Sequence, residues 1–199
     1  MTLCARIGIV GVLLGLCSLS PALAQSDATK PAPLSATERA GQALNHLFEH
    51  LARAQSMGQA KAIAEQIERR WQNSGSDTVN LLSQRAALAI QKDDLALAIE
   101  LLDRMIALKP NWAEGYFQRA LVFLLLEDQS RAVADLGRVL AREPRHYKAM
   151  TTWAMVLQKQ EQKKPAYALY QRILQVYPLN ETVKELADHL RADVEGRAL

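Results

Sequence analysis

From Leu44 to Leu190 apolar residues return every three or four positions, and nowhere beyond the N-terminal segment do they alternate as a strand would require. A serine at Ser35, three residues ahead of Glu38, has the form of a capping box and opens a helix with Leu44, Leu47, Phe48 and Leu51 on one face, ending near Met57-Gly58. A second helix is expected from Gln59 to Trp71, with Ala60, Ile63, Ala64, Ile67 and Trp71 on one side. Asn73–Asp77 breaks the pattern, and Ser76 or Asp77 is placed to cap the next helix. Three helix pairs then follow, joined by polar turns at Lys92-Asp93-Asp94, Glu127-Asp128-Gln129 and Glu161-Gln162-Lys163. From Asn180 to about Arg191, Leu179, Val183, Leu186 and Leu190 share one side and charges take the other, as a terminal helix needs if it is to cover a core and show water a polar back.

The three pairs share one period. Pro110, Pro144 and Pro178 stand 34 residues apart and close LALAIELLDRMIALKP, SRAVADLGRVLAREP and KPAYALYQRILQVYP. At the same spacing Ala86, Ala120 and Ala154 mark the first helix of each pair, and Ala98, Ala132 and Ala166 the second. Small residues belong where helices cross, because packed axes come within about 8–10 Å. Larger neighbours vary: Leu82, Tyr116 and Met150, then Leu102, Leu136 and Tyr170.

In length, alanine positions and closing prolines the stretch Val79–Pro178 resembles the tetratricopeptide repeat (TPR) family. The resemblance implies an all-α, right-handed α-solenoid of helix-turn-helix hairpins with capping helices at both ends. Met105, Val139 and Ile173 depart from it, standing where the family often has a small residue, and put tight packing between neighbouring hairpins in question. One period upstream, Ala52 and Ala64 match the small positions, but Ser76 replaces the proline. The expected organisation is a signal peptide at 1–24, a polar, proline-bearing lead-in at 25–34, a degenerate repeat or capping hairpin at 35–78, repeats at 79–112, 113–146 and 147–180, and a C-terminal capping helix and tail at 181–199.

The N-terminus supplies the compartment. Arg6 precedes an apolar run from Ile7 to Leu19, and Ala22-Leu23-Ala24 forms an A-x-A cleavage site, so export to the periplasm or beyond is expected, with cleavage after Ala24. The run is shorter than the ~20 residues of a spanning helix, so no stable membrane insertion is expected after cleavage; retention as an anchor is the alternative. A lipid-anchored Cys17 is disfavoured by the bulky Leu16 before it. Both cysteines, Cys4 and Cys17, leave with this segment, which excludes disulfides and thiol chemistry from the mature chain. With only Arg6 removed from the 24 basic residues, the mature net charge is +2, too mild and dispersed for nucleic acid.

In the TPR family bound peptides contact the first helices, which line the concave face. The resemblance places Ser83, Ala87 and Ile90, then Phe117, Leu121 and Leu124, then Thr151, Met155 and Gln158 on that face. None is lysine or asparagine, so the carboxylate clamp of chaperone-binding members is not expected. An apolar peptide or helix of a protein partner is, with Lys148, Lys159 and Arg119 bordering it. The competing expectation is that the chain's own N-terminal helix covers Phe117, Leu121 and Leu124. A further alternative is an envelope-assembly or enzyme accessory subunit that docks through its convex or terminal surface.

One catalytic pattern needs weighing. His46, Glu49 and His50 form H-x-x-E-H, the zinc pattern of inverted metalloproteases. The third ligand would have to come from far downstream. Glu127 is the candidate, but it lies in a turn two units away in a solenoid. No catalysis and no cofactor are expected. Trp71, Trp112 and Trp153 are read as packing residues, Trp112 between hairpins. His146 and His189 stand apart from any nucleophile. Gly115 and Gly137, inside helices where glycine costs about 1 kcal/mol relative to alanine, raise the question of close backbone approach.

Overall fold

The computed structural model describes residues 35–194 and Gly196. The signal and lead-in expected at 1–34 lie outside the described residues. Among those residues the chain forms α1 (Ala36–Ala52), α2 (Met57–Gln72), α3 (Asp77–Gln91), α4 (Leu95–Leu108), α5 (Ala113–Leu125), α6 (Gln129–Arg142), α7 (Tyr147–Lys159), α8 (Lys163–Val176) and α9 (Glu181–Val194), with no strand. None of these helices is long and apolar enough to cross a membrane. The fold is the expected all-α solenoid of helical hairpins.

Local chemistry sets each boundary. The Ser35 hydroxyl accepts from the Glu38 amide and the Glu38 carboxylate accepts from the Ser35 amide, completing the capping box. Within the paired hairpins, Asp93, Glu127 and Glu161 take the left-handed conformation, φ 59°, 60° and 58°, which reverses the chain in one residue. Asp94 and Asp128 then cap α4 and α6 by accepting from the Leu97 and Arg131 amides; Gln162 makes no such bond at α8. The prolines act through the residue before them. Lys109, Glu143 and Tyr177 end their helices at ψ 73°, 92° and 76°, since a following proline disfavours the helical ψ.

The six alanines at the crossing positions are buried, as are Met105, Val139 and Ile173. The large residues that depart from the family pattern are therefore taken into the core without exposure. Gly115 and Gly137 reflect no close backbone approach: a Cβ at Gly115 would meet Ile106 Cγ1 at 3.4 Å, an ordinary contact, and one at Gly137 would meet nothing within 4 Å.

The N-terminal hairpin departs from the repeat frame. Projected back from Lys92–Asp94, the frame places a turn at Gly58–Ala60. The chain instead turns after Ala52 and starts α2 at Met57, because the Ser56 hydroxyl caps it by accepting from the Gln59 amide at 3.3 Å. The helix expected to end near Met57-Gly58 is thus shorter, and Gly58 sits in the first turn of α2. Beyond its own partner α1 packs on α8, and α2 on α5 and on the start of α7. Phe48, Leu51, Ile63, Ile67 and Trp71 join Tyr147, Met150, Tyr170, Ile173, Val183 and Leu190 in one core cluster. The hairpin folds back along the solenoid and is not stacked on α3.

Candidate functional site

The site begins with the contact that seats α2. Trp71 on α2 stacks on His146, the residue before α7, with ring centroids 4.1 Å apart. His146 is fully buried. Its Nδ1 accepts from the Ala149 amide at 3.1 Å, capping α7, so the proton resides on Nε2, which lies 3.4 Å from Glu114 Oε2. Phe117 also packs against the imidazole, its ring centroid 4.9 Å from that of His146 and tilted to it. Trp112, expected between hairpins, donates its indole N–H to the Trp71 carbonyl at 2.8 Å, and Lys109 Nζ donates to the Ser74 carbonyl. The loops before α5 and α7 thus both grip the end of α2.

Farther along α2, the single Tyr147 hydroxyl proton is shared between Glu68 at 3.0 Å and the Ala64 carbonyl at 3.2 Å, and Lys148 Nζ donates to Glu68 at 3.2 Å. Burial pushes the Tyr147 phenol well above its ordinary range, and the Glu68 charge adds to the effect. Tyr177 is raised by burial and then by Glu68 and Glu65.

Beside this contact α2 leaves a cleft of about 660 Å³. Phe117, Leu121, Tyr147, Tyr177 and Val183 give it apolar walls, while Lys61, Glu65, Glu68 and Lys148 bring charge to it. Thr151 and Thr152 also line it, and Thr152 continues into a smaller hollow with Leu124, Met155 and Lys159.

The nine positions placed on the concave face thus divide. Phe117, Leu121 and Thr151 line the main cleft, and Leu124 and Met155 its continuation. Ser83 donates to Gln118 at 3.0 Å and borders a separate polar hollow of about 400 Å³ beside Arg69, Asn73 and Glu114. Ile90 packs into the α3–α4 core, Ala87 is exposed, and Gln158 accepts from the Tyr170 hydroxyl at 2.6 Å. Cover is expected from the N-terminal helix, but α1 packs on α8 and the helix beside these residues is α2; Phe117 is buried, while Leu121 stays 39% exposed and Leu124 half-buried.

Of the bordering cations, Arg119 serves another purpose. It is bound through Nε and Nη2 to the buried Asp135, at 2.7 and 2.8 Å, and through Nη1 to Asp103. It ties α5 to α4 and α6 and is not a groove flank. His46 and Glu49 lie 3.7 Å apart on the exposed side of α1, and among the described residues no group of three His, Cys, Asp or Glu side chains converges.

The sequence pattern singles out none of Glu68, Tyr147 and Tyr177, and shows His146 only as a histidine apart from any nucleophile. One signal was available for His146: it occupies the position before a first helix where Trp112 and Asn180 stand one period away. Glu68 left no such trace, because its partners come from α7.

A solenoid of helical hairpins carrying an open cleft defines a repeat protein. The chain is 34% identical over 155 residues to a TPR repeat-containing protein of Rhizobium etli, spanning 78% of this chain and 76% of that one. It belongs to the TPR repeat family. No family model matches it. Its fold is similar to the first TPR domain of Spaghetti (RPAP3) bound to an HSP90 peptide, with TM-score 0.55, 16% identity, and coverage of 61% of this chain and 96% of that one. The Arabidopsis OM64 TPR domain follows at TM-score 0.54, 21% identity, and 59% and 98% coverage. The Yersinia enterocolitica chaperone SycD, in complex with a peptide of the translocator YopD, gives 0.52, 14%, and 62% and 95%.

Proposed function

We propose that the protein is an exported adaptor that holds an apolar peptide segment or helix of a protein partner in the cleft between α2 and the first helices α5 and α7. It acts by equilibrium binding and carries out no chemistry. The observation that carries this reading is the cleft itself: about 660 Å³ with apolar walls and charge of both signs beside them. Ligand sites combine concave apolar surface with a few placed polar groups in this way. Leu121 and Met155 add exposed apolar area, at 39% and 57% of their surface, along the same face. Two proteins of similar fold, Spaghetti and SycD, are described with bound peptides, which supports the choice of ligand class.

The test is a pull-down from envelope extract with the mature chain beside the double variant Leu121→Glu/Met155→Glu, whose sites are exposed enough to leave folding intact. A partner captured by the first and lost by the second supports the cleft; equal capture by both overturns it. Export is tested on its own by N-terminal sequencing of the chain recovered from cells, with Gln25 expected as the first residue.

A further inference from the structure

The folding back of α1–α2 leaves a debt at the other side of the first repeat pair. Within the solenoid, one face of each first helix meets the hairpin before it. On α5 that face includes Gly115 and Val122, and on α7 Ala149 and Val156, all buried. Gly115 identifies the neighbour, since Ile106 of α4 lies over it. One period earlier the same two positions on α3 are Leu81 and Leu88. No hairpin is stacked there, and they are 48% and 54% exposed. Leu97 on α4 is exposed too, and with Leu88 and Leu101 it lines a hollow of about 260 Å³ bordered by Arg85, Lys92 and Asp94.

We propose that this face of α3 is a homodimer interface, closed by a second copy of the chain packing its own α3 antiparallel across a two-fold axis between Gln84 and Arg85. The occupant follows from the residue pattern. Asp77, Leu81, Arg85, Leu88 and Lys92 recur every three or four residues and form one stripe along α3. A two-fold axis at that midpoint sets Leu81 opposite Leu88 of the copy, and Asp77 opposite Lys92 of the copy. Each leucine contact and each opposite-charge contact then occurs twice, which is the self-complementarity an isologous interface requires. Among the described residues neither Asp77 nor Lys92 is engaged in an ion pair. The hollow around Leu88 and Leu97 receives Leu81 of the copy as a side chain from a preceding repeat would fill it. The same axis brings the two Arg85 side chains toward each other, so this residue opposes the pairing. The interface stands apart from the cleft and does not depend on what the cleft binds.

The experiment is sedimentation equilibrium of the purified chain over a range of concentrations, with circular dichroism to confirm unchanged helix content. A reversible dimer is expected. Leu81→Glu/Leu88→Glu should yield a monomer. Lys92→Asp alone should weaken the dimer by about tenfold, Asp77→Lys/Lys92→Asp should restore it, and Arg85→Gln should tighten it. A chain that stays monomeric at high micromolar concentration overturns the proposal, whether residues 1–34 or another protein covers the face. So does a dimer that survives Leu81→Glu/Leu88→Glu, and failure of the charge swap to restore association overturns the axis.

Discussion

Trp71 and His146 stack with their planes 11° apart, joining the end of α2 to the start of α7. The imidazole serves both contacts at once, capping α7 through Nδ1 while presenting its face to the indole. His146→Ala removes the cap, the stack and buried volume, and should cost about 2–4 kcal/mol. His146→Asn keeps a capping oxygen and should recover about 1 kcal/mol of that loss. Urea unfolding followed by tryptophan fluorescence checks both; equal losses in the two variants would assign His146 no capping role.

Tyr147 makes the protein sensitive to alkali. Its folded-state pKa lies above the unfolded value of 10.0, because burial and Glu68 disfavour the phenolate. The resulting stabilisation is complete below pH 10 and is lost as pH rises beyond it, where the unfolded chain gives up a proton that the folded chain retains. Tyr147→Phe should cost about 1 kcal/mol at neutral pH through its lost hydrogen bonds. It should also make the decline in stability between about pH 8 and about pH 11 shallower. Unfolding at both pH values measures this, and an unchanged slope would contradict it.

Asp135 and Glu100 predict losses of very different size when a carboxylate is removed. Asp135 is fully buried and held by Arg119 and Arg138, whereas Glu100 meets Arg104 on the exposed face of α4. Asp135→Ala removes two of the three side-chain bonds of the Arg119 guanidinium, which is 17% exposed, leaves it Asp103 alone, and should cost about 3 kcal/mol. Glu100→Ala should cost under about 0.5 kcal/mol. Thermal melts of the two variants distinguish the cases.

Gln162 stands where Asp94 and Asp128 cap their helices, and it makes no capping bond. Gln162→Asp should stabilise by about 1 kcal/mol, supplying an acceptor and offsetting the positive charge of Lys163 and Lys164 in the first turn of α8. A raised melting temperature is the expected outcome.

Gly137 has open space where its Cβ would be. Gly137→Ala should therefore gain about 0.5–1 kcal/mol from helix propensity alone, read as a shift of the urea midpoint at constant slope.

The repeat hairpins were legible in the chain because their determinants are local or periodic. Alanines at the crossings, a proline after each second helix and an aspartate before α4 and α6 act on neighbours within one hairpin or the next, so a spacing of 34 residues displays them. Phe117, Leu121 and Thr151 could be assigned to a common face on that basis. The periodicity did not reveal that Met105, Val139 and Ile173 pack without loss, since a core accommodates volume through its neighbours on several helices.

What only the tertiary structure decided is the place of α1–α2. Its apolar face was written in Phe48, Leu51, Ile63, Ile67 and Trp71, but an amphipathic face names no partner. The partners are Tyr147, His146 and the surface of α8, far along the chain, and Ser56 shifts the hairpin turn out of the repeat frame that would have stacked it on α3. That one placement divides the nine concave positions between cleft, core and open surface, and leaves Leu81 and Leu88 bare. Sequence by itself determined the repeating unit because helix pairing is short-range; the cleft arises from a long-range contact, for which burial area and shape, not pattern, make the choice.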